Sequence, residues 1–185
     1  MGTNQSRRKF IKTGLALSAA GIVSSTGIKP SFGQDEPKVV YRTLGNTGLK
    51  VSGVGYGIGF VPIPEAVNRA LDLGINYFDT SRVYGDSEKI FGDIIKKRDR
   101  SKLVIATKSG SRRKADILKD IDLSLKALGT DHVDIYHLHA RDTPTAIPDE
   151  ALEAVQEIKK AGKARFLGFS CHDPNRMVDF SLKWC

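Results

Sequence analysis

LVIATKSGSRRKADILKDIDLSLKALGTDHVDIYHLH, Leu103 to His139, carries the alternation on which the fold reading rests. It opens on a short apolar run, Leu103 to Lys108, bounded by Ser and Gly, which reads as a buried strand. In Ala115 to Leu128, residues Ile117, Leu118, Ile121, Leu125 and Leu128 recur on one helical face, and Gly129 stands where a left-handed C-terminal cap belongs. Val133 to His139 then returns to a strand. Working outward, Asn76 to Thr80 is a strand followed by a helix over Ser87 to Lys97, with Ser87 and Glu88 at its start. Gly53 to Gly59 is a glycine-rich strand followed by a helix over Pro64 to Leu73, with Pro in its first turn and Gly74 past its end. In the other direction come a helix over Pro148 to Ala161, stopped by Gly162, a strand over Ala164 to Ser170, and another helix beginning at Pro174. A hairpin precedes all of this, with Val39 to Leu44 and Leu49 to Ser52 joined by Gly45-Asn46-Thr47-Gly48.

Five strand-helix alternations require right-handed crossovers and a parallel sheet. An open doubly wound sheet and a (β/α)8 barrel share that periodicity. Two features favour the barrel. Ionisable residues end several different strands, which is where barrel enzymes assemble their sites, and the first strand-to-helix turn has no G-x-G-x-x-G phosphate loop. Gly53, Gly55, Gly57 and Gly59 alternate inside the strand instead, which suits close backbone approach or small layers in the interior. A cofactor lying across the strand end, over Gly57, would use the same lack of side chains. Barrels of this type usually need about 250 residues, and only five of the eight strand-helix units are legible here. The expectation is a chain truncated in its last three units, or a half-barrel that completes itself through open sheet edges by self-association or with a complementing fragment.

The net charge of +8 is misleading about the folded part. Arg7, Arg8, Lys9, Lys12 and Lys29 all precede the first acidic residue, Asp35, and without them 24 basic residues face 21 acidic ones. The short runs RDRSK (98–102) and SRRK (111–114) read as solvated surface, and no basic stripe or motif suggests nucleic acid. At the N-terminus, Ser6-Arg7-Arg8-Lys9-Phe10-Ile11-Lys12 is followed by a weakly apolar run, Thr13 to Val23, and then by small residues, the order of an export signal. The run is too short and too rich in Gly, Ala and Ser for a permanent membrane span. Its arginine pair resembles the twin-arginine translocation signal, which implies an exported, periplasmic or extracytoplasmic protein. Residues 1–34 are therefore expected to be leader and linker, and 35–185 the folded domain, with regular structure from about Lys38.

FDTSRVYGDSEKIFG, Phe78 to Gly92, places Asp79 and Tyr84 in the loop that leaves a strand, while Lys108 and His139 end the next two strands. The spacing and residue types resemble the aldo-keto reductase family. That resemblance covers roughly Lys38 to Phe180 and implies a catalytic tetrad of Asp79, Tyr84, Lys108 and His139. It also implies a nicotinamide cofactor, NADPH by family habit, and a small-molecule carbonyl substrate. Tyrosine holds its proton to a pKa of about 10, and a nearby ammonium would lower that value. Tyr84 is thus expected to act as general acid, Lys108 to lower its pKa, Asp79 to anchor Lys108 and assist cofactor binding, and His139 to orient the carbonyl. The family commonly contacts the nicotinamide carboxamide through a Ser-Asn pair. Here Ser170 matches the serine and Cys171 replaces the asparagine, a weak hydrogen-bonding group, with His172 as a substitute.

Other readings of these residues are blander or sharper. Each tetrad residue taken singly has a structural account: a turn cap, a loop aromatic, a surface cation, an interior histidine. His137 shares a strand face with His139, but no third metal ligand is evident, so no metal is expected. Cys171 and His172 could pair as nucleophile and base. Cys171 and Cys185 could form a disulfide or remain free thiols. The alternative to an enzyme is a catalytically silent half-barrel.

Overall fold

The computed structural model describes residues 39–184. The expected leader and linker lie outside them, and so does Cys185, on which the choice between a disulfide and free thiols turns. An antiparallel hairpin comes first, β1 (Tyr41–Thr43) against β2 (Lys50–Ser52), with Tyr41 opposite Ser52 and Thr43 opposite Lys50. Its turn needs left-handed backbone at Gly45 (φ 48°) and Gly48 (φ 72°), where a side chain would be strained. The strand-helix series then runs β3 (Tyr56–Gly57), α1 (Pro64–Asp72), β4 (Tyr77–Asp79), α2 (Ser87–Ile95), β5 (Val104–Ser109), α3 (Lys114–Leu128), β6 (Val133–Leu138), α4 (Asp149–Lys160), β7 (Ala164–Phe169) and α5 (Val178–Trp184).

The five strands β3 to β7 form one parallel sheet in chain order. This order distinguishes the two topologies that periodicity leaves open. A doubly wound sheet reverses its strand order at a switch point, whereas consecutive neighbours with right-handed crossovers place every helix on the same face, as in a barrel wall. Each face of the sheet has its own apolar cluster. On the helix side, Phe78, Phe91, Ile105, Ile117, Ile121, Tyr136, Leu138, Val155 and Ile158 are buried together. On the other side, Val104, Ala106 and Ile135 pack with Leu49 and Val51 of the hairpin, flanked by Tyr77 and Phe166. The hairpin thus plugs the amino-terminal end of the barrel interior. Asn76 ties it to β4 by accepting from Ser52 N at 2.7 Å and donating to Lys50 O at 2.8 Å.

Local chemistry explains most element limits. Buried Ile117, Ile121, Ser124 and Leu128 form the inner stripe of α3, which ends at Gly129 (φ 67°), whose N–H bonds Leu125 O. Ala151, Ala154, Val155 and Ile158 do the same for α4. Gly92 lets α2 approach α3 closely, since a Cβ there would lie 2.3 Å from Ala127 O. The expected strand over Gly53 to Gly59 shrinks to Tyr56–Gly57. Its glycines offer no cross-strand side-chain pairs, and only two positions register with β4. A Cβ at Gly53 would lie 3.3 Å from Val40 O and one at Gly55 2.9 Å from the Tyr77 ring, whereas Cβ atoms at Gly57 and Gly59 would meet nothing within 4 Å. Among the described residues, no helix is long and apolar enough to cross a membrane.

Candidate active site

Strand alternation selects the residues that face the barrel interior. Val104 and Ala106 point inward, so Lys108 does too. Ile135 is followed on that face by His137 and His139, Tyr77 by Asp79, and Phe166 by Gly168 and Ser170. The parallel register sets Asp79 opposite Ala106, and Lys108 opposite His137. Along the series Asp79, Lys108 and His139, each residue therefore lies two positions further along the chain than the partner of the preceding one, a stagger that suits strands tilted to a barrel axis.

The four residues named from sequence meet at this strand-end face. The Lys108 side chain is 7% exposed, and its ammonium donates to Asp79 Oδ1 and, at 2.8 Å, to Thr80 O; the Asp79 side chain is 34% exposed. Lys108 Nζ also sits 5.3 Å from the Tyr84 ring centroid. The Tyr84 ring packs edge-on against His139, with centroids 5.6 Å apart and an interplanar angle of 86°. His139 Nδ1 is 2.8 Å from Ser170 Oγ, which also accepts the Ala140 N–H at 3.0 Å. Ala140 adopts φ 54°, a left-handed conformation costly for a residue with a Cβ, and such outliers collect at functional sites.

Electrostatics corrects one expectation. Tyr84 is not eased toward phenolate. Its pKa lies above the usual tyrosine value, first because burial penalises the anion and second because the Asp79 carboxylate repels it. His139 is shifted the other way, below the ordinary imidazole value, by burial first and by the Lys108 charge next, so it is neutral near pH 7. His137 is pushed down to about 4, mainly by burial. Its Nδ1 is buried without a partner, and its ring fills the space a side chain at Gly168 would need, since a Cβ there would lie 2.5 Å from His137 Cδ2.

The residues expected to hold a cofactor are divided. Gly57 lies exposed at the carboxyl end of β3, and Ser170 is inside the site. Cys171 instead packs against the helix-side core. His172 is turned to Asp142, its N–H donating to Oδ1 at 2.6 Å and its Nδ1 lying 3.1 Å from Oδ2. That pairing leaves Cys171 without a histidine base, and the nucleophile reading has no geometric support. Among the described residues, no group of three or more His, Cys, Asp or Glu could hold a metal ion. Phe60 escaped the sequence reading. Its ring centroid is 4.8 Å from that of Tyr84 and it is 69% exposed, but nothing in the GFVPIP stretch marks an aromatic bound for the site.

A sequence profile of the Aldo/keto reductase family matches residues 63–184, well over half of the chain. The chain belongs to this family. Among the curated relatives of this aldo/keto reductase family member, L-galactose dehydrogenase of Arabidopsis thaliana is 40% identical over 155 residues, covering 72% of this chain and 49% of the relative. L-glyceraldehyde 3-phosphate reductase of Escherichia coli K12 is 31% identical over 173 residues, covering 78% and 49%. Among solved structures, the holo form of an aldo-keto reductase from Bacillus halodurans superimposes with a TM-score of 0.68 at 33% identity, over 78% of this chain and 54% of that one. The parallel sheet with its helices is accordingly part of the aldo-keto reductase (β/α)8 barrel, an oxidoreductase fold. The chain spans about half the length of the curated relatives it matches.

Proposed function

We propose that this protein reduces an aldehyde or ketone to the alcohol with hydride from NADPH, and that Tyr84 donates the proton. The observation that carries this reading is the convergence of Asp79, Tyr84, Lys108 and His139, from four chain segments, on one strand-end face. The backbone at Gly57, paired with Asp79 in the sheet register, is open where a side chain would stand, and Gly57, Asp79 and Ser170, all at strand ends, are the residues assigned to the nicotinamide. The bound nicotinamide would supply the hydride. Cys171, whose side chain packs against the helix-side core, is assigned no part in holding it.

Tyr84, its pKa raised, keeps its proton in the resting site. A carbonyl oxygen beside it draws that proton off only as negative charge develops, which is the condition for general-acid catalysis. Lys108 then stabilises the phenolate, and Asp79 keeps the ammonium in place. Ser170 Oγ accepts the Ala140 N–H and pairs with His139 Nδ1; in the tautomer in which Ser170 donates, the imidazole proton resides on Nε2, available to the carbonyl oxygen.

The test is NADPH oxidation by the full chain with a panel of aldehydes and ketones. Sugar-like aldehydes come first, because two relatives are named for L-galactose and L-glyceraldehyde 3-phosphate. Tyr84→Phe is expected to lower kcat by about 100-fold or more while cofactor binding persists. Failure of the wild-type chain to bind millimolar NADPH, or turnover that survives Tyr84→Phe, would refute the proposal. Export rests on Arg7 and Arg8 within the N-terminal signal pattern. A folded reporter fused behind residues 1–34 should lose export when both arginines become lysine.

A further inference from the structure

A carboxylate sheltered from solvent lies behind the Tyr84 turn. Glu88, near the start of α2, is 1% exposed, and each of its oxygens has one partner. Oε2 accepts from Arg82 Nη1 at 2.6 Å, and Oε1 accepts from Thr107 Oγ1 at 2.6 Å. A glutamate in the first helical turn suits the helix dipole, yet an exposed carboxylate would serve that purpose equally well. Burial demands charged and hydrogen-bonding partners, and such pairs are weak evidence for stability, since apolar residues of similar volume often hold a fold as well.

The identity of the partners points to a different role. Arg82 lies two residues before Tyr84, and Thr107 immediately precedes Lys108. Because strand alternation sends Thr107 to the helix side and Lys108 to the interior, Glu88 grips β5 from behind while the Lys108 ammonium works in front. The same junction is stitched by Arg82 N–H to Lys108 O at 3.0 Å and by Ser81 Oγ to Lys108 O at 3.1 Å. We infer that Glu88, through Arg82 and Thr107, is a positioning residue that holds the Tyr84 turn in register with the end of β5 and so sets the approach of Tyr84 to Lys108.

The inference rests on the reductase reading for its catalytic consequence, but its geometric half is tested independently of turnover. Glu88→Gln keeps the volume and an acceptor for Thr107 while removing the charge that holds Arg82; Arg82→Met removes the pair from its more accessible end; Arg82→Lys restores an ammonium. The full-length chain, labelled with 13C-tyrosine, is followed by NMR, with the Tyr84 signal assigned from Tyr84→Phe and folding checked by far-UV circular dichroism. In Glu88→Gln and Arg82→Met the Tyr84 resonance is expected to shift and its titration to move back toward the ordinary tyrosine range, and Arg82→Lys to restore most of both. In turnover, kcat should fall by about 10- to 100-fold, the scale set by misplacement of about 1 Å, with KM within about 2-fold. A wild-type chain inert toward every carbonyl would sink the reductase reading, while the Tyr84 signal would still decide the positioning role. An unchanged Tyr84 resonance and titration in folded Arg82→Met overturns the inference even if Glu88→Gln fails to fold, and so does a lowered melting temperature with no change at Tyr84.

Discussion

Acidification from about pH 7.5 to about pH 5 is expected to cost the fold about 2 kcal/mol through His137 alone. The ring lies on the interior face of β6 with Nδ1 buried and unpartnered, it fills the space beside Gly168, and the Lys108 charge adds to the burial that disfavours imidazolium. Its folded pKa is pushed down to about 4 from the usual 6.5. Between those values the folded state binds fewer protons than the unfolded chain. Stability is therefore complete above about pH 6.5 and is lost as the pH falls toward 4. The loss amounts to about 2 kcal/mol at pH 5 and about 3 kcal/mol at pH 4. Other groups titrate over the same range, so the measurement is a difference: urea unfolding of wild type and His137→Leu, followed by circular dichroism across the window. The wild type should lose about 2 kcal/mol more than the variant between the two ends. Parallel stability profiles, or a His137 NMR titration midpoint near its ordinary value, would refute the reasoning.

Lys108→Met leaves the Asp79 carboxylate without its cation and Thr80 O without a donor. Because Asp79 remains 34% exposed, the cost by urea unfolding is expected to be about 1–2 kcal/mol, less than the 3–5 kcal/mol typical of a fully buried broken pair. Gly92→Ala forces a methyl against Ala127 O, 2.3 Å away, and should prise α2 from α3 at a cost of about 1–3 kcal/mol, whereas Gly57→Ala, with open space around it, should melt like wild type; equal melting temperatures for the two variants would contradict the packing described.

Much of the architecture was legible because it is written in local patterns. The 3.6-residue stripe of Ile117, Ile121 and Leu128, the glycine stops at Gly129 and Gly162, and the apolar runs ending at Asp79, Lys108 and His139 each involve neighbours along the chain, so a linear reading finds them. Strand ends are also where a parallel barrel must place its chemistry, which made the tetrad visible. Three-dimensional packing settled what those patterns leave degenerate. The consecutive order β3 to β7 sends the helices to one face and makes the sheet a barrel wall. Burial and the Asp79 charge, neither readable from spacing, raise the Tyr84 pKa where a lone ammonium would lower it. Ser170 and Cys171 are adjacent in sequence, yet one hydroxyl supports His139 while the thiol joins the outer core. Glu88 and Thr107 meet across 19 positions of chain, a contact that no periodicity announces because it exists only once α2 has folded back against β5.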